Sequence, residues 1–287
     1  MRRLTIEHVT TYQFPGLVTL LPHTLRLRPR EGQDIRIESA KLDISPPGQL
    51  RWHRDVYGNS VAEARFAAAA GRLSITSRVL LQHYDEQPLD FLVADSAVRY
   101  PFQYELAEQI DLGPYLLPVF PADQAQIAAW LRPLWQPGQV VETYLLLEWI
   151  NKAIACGFSY LRREQPGIQT PAETLSQRSG SCRDTATLFI EACRWLGLAA
   201  RFVSGYLYTP VPQGLGSTHA WSEVYLPGAG WKGFDSTSGL LTGTDHIAVA
   251  VSRHPGAVPP VAGAFTASAP LTPDLQVTVA VTEIPGR

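Results

Sequence analysis

The sequence predicts an α+β protein: an N-terminal antiparallel β-sandwich-like domain, then a domain of helices packed on an antiparallel sheet. Three observations point to it. Residues 1–86 alternate polar and apolar with a period of two, which puts alternate side chains on opposite faces of a strand. Two later stretches, DQAQIAAWLR and VVETYLLLEWINKAIACG, repeat their apolar residues at helical spacing. Beyond residue 199 the text returns to strand-like segments, ARFVSGYLYT, THAWSEVYL and WKGFD.

In TIEHVTTYQF, the residues Ile6, His8, Thr10, Tyr12 and Phe14 share a strand face, and in AKLDIS the residues Ala40, Leu42 and Ile44 alternate with Lys41, Asp43 and Ser45. YGN at 57–59 is a turn, and VAEARF and RLSITSRVLL are the strands after it. Residues 87–121 (QPLDF, RYPFQY, LGPYLLPVFP) are rich in proline and aromatics, hold neither period, and are expected to be a connector packed across the lobes. The second domain is expected over 122–245. Its second helix should stop at Gly157 in a left-handed turn. A short helix follows in TPAETLSQ, where Thr170 as N-cap, Pro171 at the first helical position and Glu173 reaching back make a capping box. Residues 246–287 hold two late strands, HIAVAV and LQVTVAV, on either side of the loop HPGAVPPVAGAFTASAP, and are expected to pack back on the protein.

Composition narrows the function. Apolar residues are 45% and charged residues 17%, with a net charge of -2, so a sizeable core is available and no basic patch invites nucleic acid. MRRLTIEHVTTYQF lacks the unbroken apolar run of a signal peptide, and no window approaches the roughly eighteen apolar residues of a membrane span. The 3 cysteines, an odd number without an export signal, are expected as reduced thiols in a cytoplasmic protein. The histidines at 8, 23, 53, 83, 219, 246 and 254 form no close ligand pairs, and neither a CxxC spacing nor a glycine-rich phosphate loop is present. No cofactor or metal is expected, and no nucleic-acid or membrane partner.

RSGSCRDTATLFIEACRWLG at 178–197 contains two of the cysteines on one helical stripe, Cys182, Ala186, Phe189, Cys193 and Leu196. Cys193 lies inside the helix and reads as a small core residue. Cys182 opens the helix, with Ser181 as cap and Asp184 three residues on. The free amides and positive dipole end of a first turn favour thiolate over thiol and can receive an oxyanion. Such a nucleophile wants a base and an orienting acid. His219 and Asp235 stand on the two strands of one hairpin, THAWSEVYLPGAGWKGFDSTSG. If Pro227–Gly230 alone formed the loop, Leu226 would face Trp231 and Asp235 would point away from His219. A loop of odd length, three or five residues or its bulged equivalent, instead sets Tyr225 against Trp231 and Trp221 against Asp235, and His219 becomes a same-face diagonal neighbour of Asp235.

GSCRDTA, ARFVSGYL and THAWSEVYLPGAGWKGFDST resemble, in that order, the core motifs of the bacterial transglutaminase-like family. The earlier segments HVTTYQF, LRLRPR and DVYGN resemble the family's N-terminal β domain, and DHIAVAVSR with VPPV resembles its closing segment. The resemblance implies a papain-like transglutaminase core in which Cys182 is the nucleophile, His219 the general base and acid, and Asp235 the orienter of the imidazole. It also implies acyl transfer on a peptide or protein amide through a thioester, with water or an amine as acceptor. The sequence departs from the family at Ser181 and Thr185, where apolar residues are usual, and at Ser236, where proline is common. The second oxyanion donor stays open among Tyr160, Gln177 and a backbone amide. Trp221 and Trp231 flank the site in sequence and are either channel walls or core aromatics. A silent binding or scaffolding protein, the competing reading, would show a broken Cys-His-Asp set, and here all three residues are present.

Overall fold

The period-two segments form strands in the order the alternation predicts. The computed structural model describes residues 1–163, 167–210 and 217–284. Its first domain contains β1 (Arg2–Leu20), β2 (His23–Leu25), β3 (Ile35–Ser45), β4 (Gly48–Arg54), β5 (Ser60–Phe66) and β6 (Ala70–His83). β6 pairs with β1 and β3 in one antiparallel sheet, and β5 pairs with β2 and β4 in another. Along β1, Leu4, Ile6, His8, Thr10 and Phe14 are buried while Glu7 and Gln13 are exposed. The sheets close on Phe14, Val18, Leu25, Leu27, Ala62 and Leu73, the apolar positions of β1, β2, β5 and β6 and of the segment after β2, which makes the domain a sandwich. Gly58 takes the positive φ of +73° that the YGN turn requires.

The connector is more regular than its composition suggests. α1 (Leu106–Leu116) runs through it with Pro114 inside. Leu106 and Ile110 are exposed and only Leu112 is buried, so no apolar stripe marks the helix. Two short pairings follow in the fold: β7 (Arg99–Tyr100) antiparallel with β8 (Val141–Glu142), and β9 (Ser159–Tyr160) parallel with β10 (Ser179–Gly180).

The second domain packs α2 (Gln124–Leu131), α3 (Thr143–Gly157), α4 (Pro171–Gln177) and α5 (Cys182–Trp195) on a sheet of β11 (Ala200–Leu207), β12 (Ser217–Leu226), β13 (Gly230–Asp235), β14 (Leu240–Leu241) and β15 (His246–Ser252). The strand order is β14-β13-β12-β11-β15. The capping box of α4 forms as read, with the Glu173 amide donating to Thr170 Oγ1 at 3.2 Å and the Thr170 amide donating to Glu173 Oε2 at 2.7 Å. Gly157 ends α3 without a left-handed turn; left-handed residues instead follow α4, at Arg178 with φ 53°, and α5, at Gly197 with φ 77°. The expected single inward stripe of α5 is too narrow. Cys182, Ala186, Phe189, Cys193 and Leu196 are all buried, but so are Asp184, Thr187, Glu191 and Arg194 on other faces, because the helix lies between the sheet and three helices. Its buried charges are paired: Arg194 Nη1 donates to Glu191 at 2.7 Å, and Glu191 also accepts the amides of Val119 and Phe120 from the connector.

The core sheet runs past residue 245, where the division was expected, because β15 is its edge strand beside β11. After β16 (Val261–Ala262) and β17 (Phe265–Thr266), β18 (Asp274–Glu283) returns to the first domain and pairs with β1 from Leu4 to Gln13. An edge strand exposes unpaired amides and carbonyls, and here the first domain covers them. The Arg30 amide donates to Ala248 O at 2.8 Å, Asn59 Nδ2 donates to Val251 O at 2.8 Å, and the Val251 amide donates to Asn59 Oδ1 at 2.9 Å. Arg2 pairs with Asp245 at the same edge. LRLRPR and DVYGN are therefore the joint between the domains. Among the described residues no helix is long and apolar enough to cross a membrane.

Candidate active site

The first turn of α5 is built around Asp184 more than around Ser181. This fully buried carboxylate accepts the Ser181 amide at 2.8 Å, the Ser181 hydroxyl at 2.7 Å, the Gln169 amide at 2.7 Å and Arg163 Nη1 at 2.8 Å. Burial alone would raise its pKa, and these hydrogen bonds outweigh burial and hold it below the ordinary aspartate value. The network stitches the segment before α4 to the start of α5. Position 180 must be glycine, since a Cβ there would lie 2.8 Å from Asp184 Cβ. Cys182 follows as the first helical residue, 9% exposed.

The hairpin adopts the odd loop. Tyr225 pairs with Trp231 and Leu226 with Gly230, leaving Pro227, Gly228 and Ala229 as the bend, with Gly228 and Gly230 at φ +82° and +74°. Ser222 pairs with Phe234, so extending the ladder by one sets Trp221 against Asp235 and His219 diagonal to it. His219 Nε2 lies 2.9 Å from Asp235 Oδ2. The same strand is tied to α5 by Ser222 Oγ, which donates to Ala186 O at 3.0 Å. With Nε2 engaged by Asp235, Nδ1 is the nitrogen left for Cys182, which lies close enough to act on the His219 ring.

Both partners are buried, and their electrostatics follow from that. Burial by itself lowers the His219 pKa, but the hydrogen bond and negative charge of Asp235, with the neighbouring Cys182, raise it to about 10. Burial by itself raises Asp235, and donation from His219 and His246 overrides it and holds the carboxyl well below the usual carboxylate range. Asp235 is fixed on every side: the Thr237 amide donates to Oδ1 at 2.9 Å, and Ser238 Oγ donates to Oδ2 at 3.1 Å.

Trp221 is a wall of this cluster, its ring 6.2 Å from His219 and 5.3 Å from His246, edge-on to the latter. Gly205, opposite His219 on β11, makes room for it; a Cβ there would sit 2.6 Å from the indole and 2.2 Å from Ile247 O. Trp231 does not flank the site: it packs on Tyr115 and Tyr225 under the Arg201 guanidinium, 4.1 Å from its ring. Of the oxyanion candidates, Gln177 has its Oε1 held by Gln169 Nε2 at 2.9 Å, a bond that does not use its own amide donors, and Tyr160, 55% exposed on β9, lies within electrostatic range of Cys182. Thr185 turns back to the carbonyls of Ser181 and Cys182, and Ser236 donates to Asn151 Oδ1 at 2.9 Å, tying the turn after Asp235 to α3. Cys193 is enclosed in the core, where burial pushes its thiol up, and Cys156 is exposed.

His246 escaped the sequence. It begins β15, and its Nε2 lies 3.3 Å from Asp235 Oδ2. The reading that no histidines pair holds for sequence spacing only, since the fold brings His219 and His246 to 5.9 Å between ring centres. With Asp235 they place three donor atoms within 4.8 Å of one another. Both nitrogens are directed at one oxygen at hydrogen-bond distance, and that oxygen also accepts from Ser238, so the donors satisfy each other rather than framing an ion site.

A cysteine at a helix start, facing an imidazole oriented by a buried carboxylate, on helices packed against an antiparallel sheet, defines a transglutaminase-like protein. Residues 4–82 match the bacterial transglutaminase-like N-terminal region and residues 139–236 the transglutaminase-like superfamily. The chain is 30% identical over 277 residues to uncharacterized proteins of Mycobacterium tuberculosis and Mycobacterium bovis, covering 91% of this chain and 87% of each relative. It is 22% identical to an uncharacterized protein of Mycobacterium leprae over 99% of this chain and 100% of that one. A crystal structure from Cytophaga hutchinsonii, described as a candidate cysteine protease, shares the fold with a TM-score of 0.74 at 18% identity, covering 100% of this chain and 92% of that one. The chain belongs to the transglutaminase-like superfamily, whose chemistry is cysteine-based, and carries the N-terminal region of its bacterial members.

Proposed function

We propose that this protein is a cysteine-dependent acyltransferase or hydrolase acting on a peptide or protein amide. The observation that carries the reading is the 2.9 Å contact between His219 Nε2 and Asp235 Oδ2 on the ring that also engages Cys182. Cys182 Sγ attacks the amide carbonyl carbon, and the carbonyl electrons move to oxygen, facing the amides of the first turn of α5. As the tetrahedral adduct collapses, the C–N bond breaks and the His219 imidazolium gives its proton to the departing nitrogen. A thioester remains on Cys182. His219, now neutral, takes a proton from water or an amine as that group attacks the thioester carbonyl; the C–S bond breaks and the thiolate returns beside the imidazolium. Asp235 keeps the imidazole in one orientation throughout and stabilises its charge.

The test is incubation with a pool of blocked peptides, with and without a primary amine, followed by mass spectrometry of protein and products. An acyl adduct on Cys182, absent from Cys182→Ala, supports the reading, and the product distinguishes hydrolysis from transfer to the amine. Alkylation by iodoacetamide that fails to prefer Cys182 over Cys156 and Cys193, together with no adduct, would overturn it.

A further inference from the structure

We infer that His246 is a second positioning residue for the site, an imidazole that shares Asp235 with His219 and helps fix the direction in which that carboxylate points. The inference rests on the function proposed above and goes beyond the Cys182, His219 and Asp235 set.

The geometry assigns the protons. His246 Nδ1 accepts from the Gly243 amide at 3.4 Å, so Nε2 is the protonated nitrogen and donates to Asp235 Oδ2 at 3.3 Å. One carboxylate oxygen thus receives an imidazole from β12 and another from β15, and both rings lie against Trp221. The Thr237 amide holds Oδ1, while Ser238 and His219 hold Oδ2, all from β12, β13 or the turn after Asp235. His246 adds a donor to Oδ2 from a different strand, β15, on the far side of the sheet from β13. The groups facing the cluster are Cys182 from α5, His219 from β12 and Asp235 with Ser238 at the end of β13. His83 reaches it from the first domain by donating Nε2 to His246 O at 3.0 Å.

That last contact links the cluster to the first domain. β15 would otherwise be a free edge, and along it Arg2, His83, Arg30 and Asn59 hold Asp245, His246, Ala248 and Val251 in turn. The strand that delivers His246 is held in place by the N-terminal sandwich, so the sandwich acts on the site through that strand.

The experiment compares wild type, His246→Gln and His246→Phe by two readouts, after circular dichroism shows that each is folded. The first is the downfield proton resonance of His219 Nε2–H, which reports its bond to Asp235 without any substrate. The second is the rate of Cys182 alkylation by iodoacetamide. Glutamine keeps an N–H donor at about the reach of Nε2 and phenylalanine keeps only the ring. The expected result is that the Phe variant loses the resonance and alkylates about tenfold more slowly, the equivalent of one charge-assisted hydrogen bond, while the Gln variant keeps the resonance and stays within about twofold of wild type. An unchanged resonance in His246→Phe, or a Gln variant as impaired as the Phe variant, overturns the inference. If wild-type Cys182 proves unreactive, the acyl-transfer reading fails, and the resonance still decides the role of His246.

Discussion

Tyr225 stands opposite Trp231 across the β12–β13 hairpin, and the three-residue loop Pro227–Gly228–Ala229 holds them there. That pairing sets every later position of the ladder, so it decides that His219 and Asp235 share a face. Adding one glycine after Gly228 would favour the alternative register, with Asp235 turned from His219. Cys182 in that variant should alkylate no more selectively than Cys156, and the downfield His219 resonance should vanish; retention of both would show that the hairpin absorbs the extra residue as a bulge.

Asp235→Asn removes the charge that holds up the imidazolium while keeping its shape. Acyl-enzyme formation on a responsive peptide should fall by about 10²–10⁴-fold, as when the acid of a comparable triad is neutralised. A loss smaller than about threefold would mean that Asp235 is structural only.

The His219–Asp235 pair should leave a signature in stability. His219 has a folded pKa of about 10, above the unfolded value of about 6.5, so its contribution is fully present below about pH 6.5 and is lost as pH rises toward 10. Asp235 is shifted the other way; its contribution is present above the unfolded value of about 3.9 and is lost as pH falls further. Melting temperatures of wild type should therefore decline between pH 6.5 and 10 more steeply than those of His219→Gln. Parallel curves would contradict the coupling.

Asn59 replaces a missing strand at the edge of β15. Asn59→Ala leaves the Val251 amide and carbonyl without partners and should cost about 2–4 kcal/mol in chemical denaturation. A cost under about 0.5 kcal/mol would mean that water takes over the edge and that the joint does not depend on this side chain.

Cys193→Ala should separate the two cysteines of α5. It trims a fully buried side chain and should cost about 1 kcal/mol of stability, with the alkylation rate of Cys182 unchanged. A parallel loss of Cys182 reactivity would assign Cys193 more than packing.

Local chemistry made much of this protein legible from its residues. Alternation placed the strands of the sandwich, and Thr170, Pro171 and Glu173 announced α4, because neighbours in sequence make those contacts. Cys182 stood out because a helix start is a local feature, and His219 and Asp235 could be matched because a hairpin reduces their meeting to a question of parity. The family resemblance, read from short motifs in order, pointed to the same three residues.

Tertiary structure alone decided the rest. The parity itself was set by how Gly228 and Gly230 bend the chain, with Gly228 pressed to 2.7 Å between its would-be Cβ and the Ala94 amide. Trp231 left the site for Arg201 and Tyr115, and α5 was enclosed by β12, α2 and α3 as well as by its sequence neighbours α4 and β11. The contacts of His246 and Asn59 could not be read from the sequence, since one meets Asp235 across a sheet and the other meets Val251 at a separation of 192 residues. Side chains within a few residues of each other are constrained by backbone geometry that the sequence spells out. Those that meet across strands and domains are placed by the packing of the whole chain.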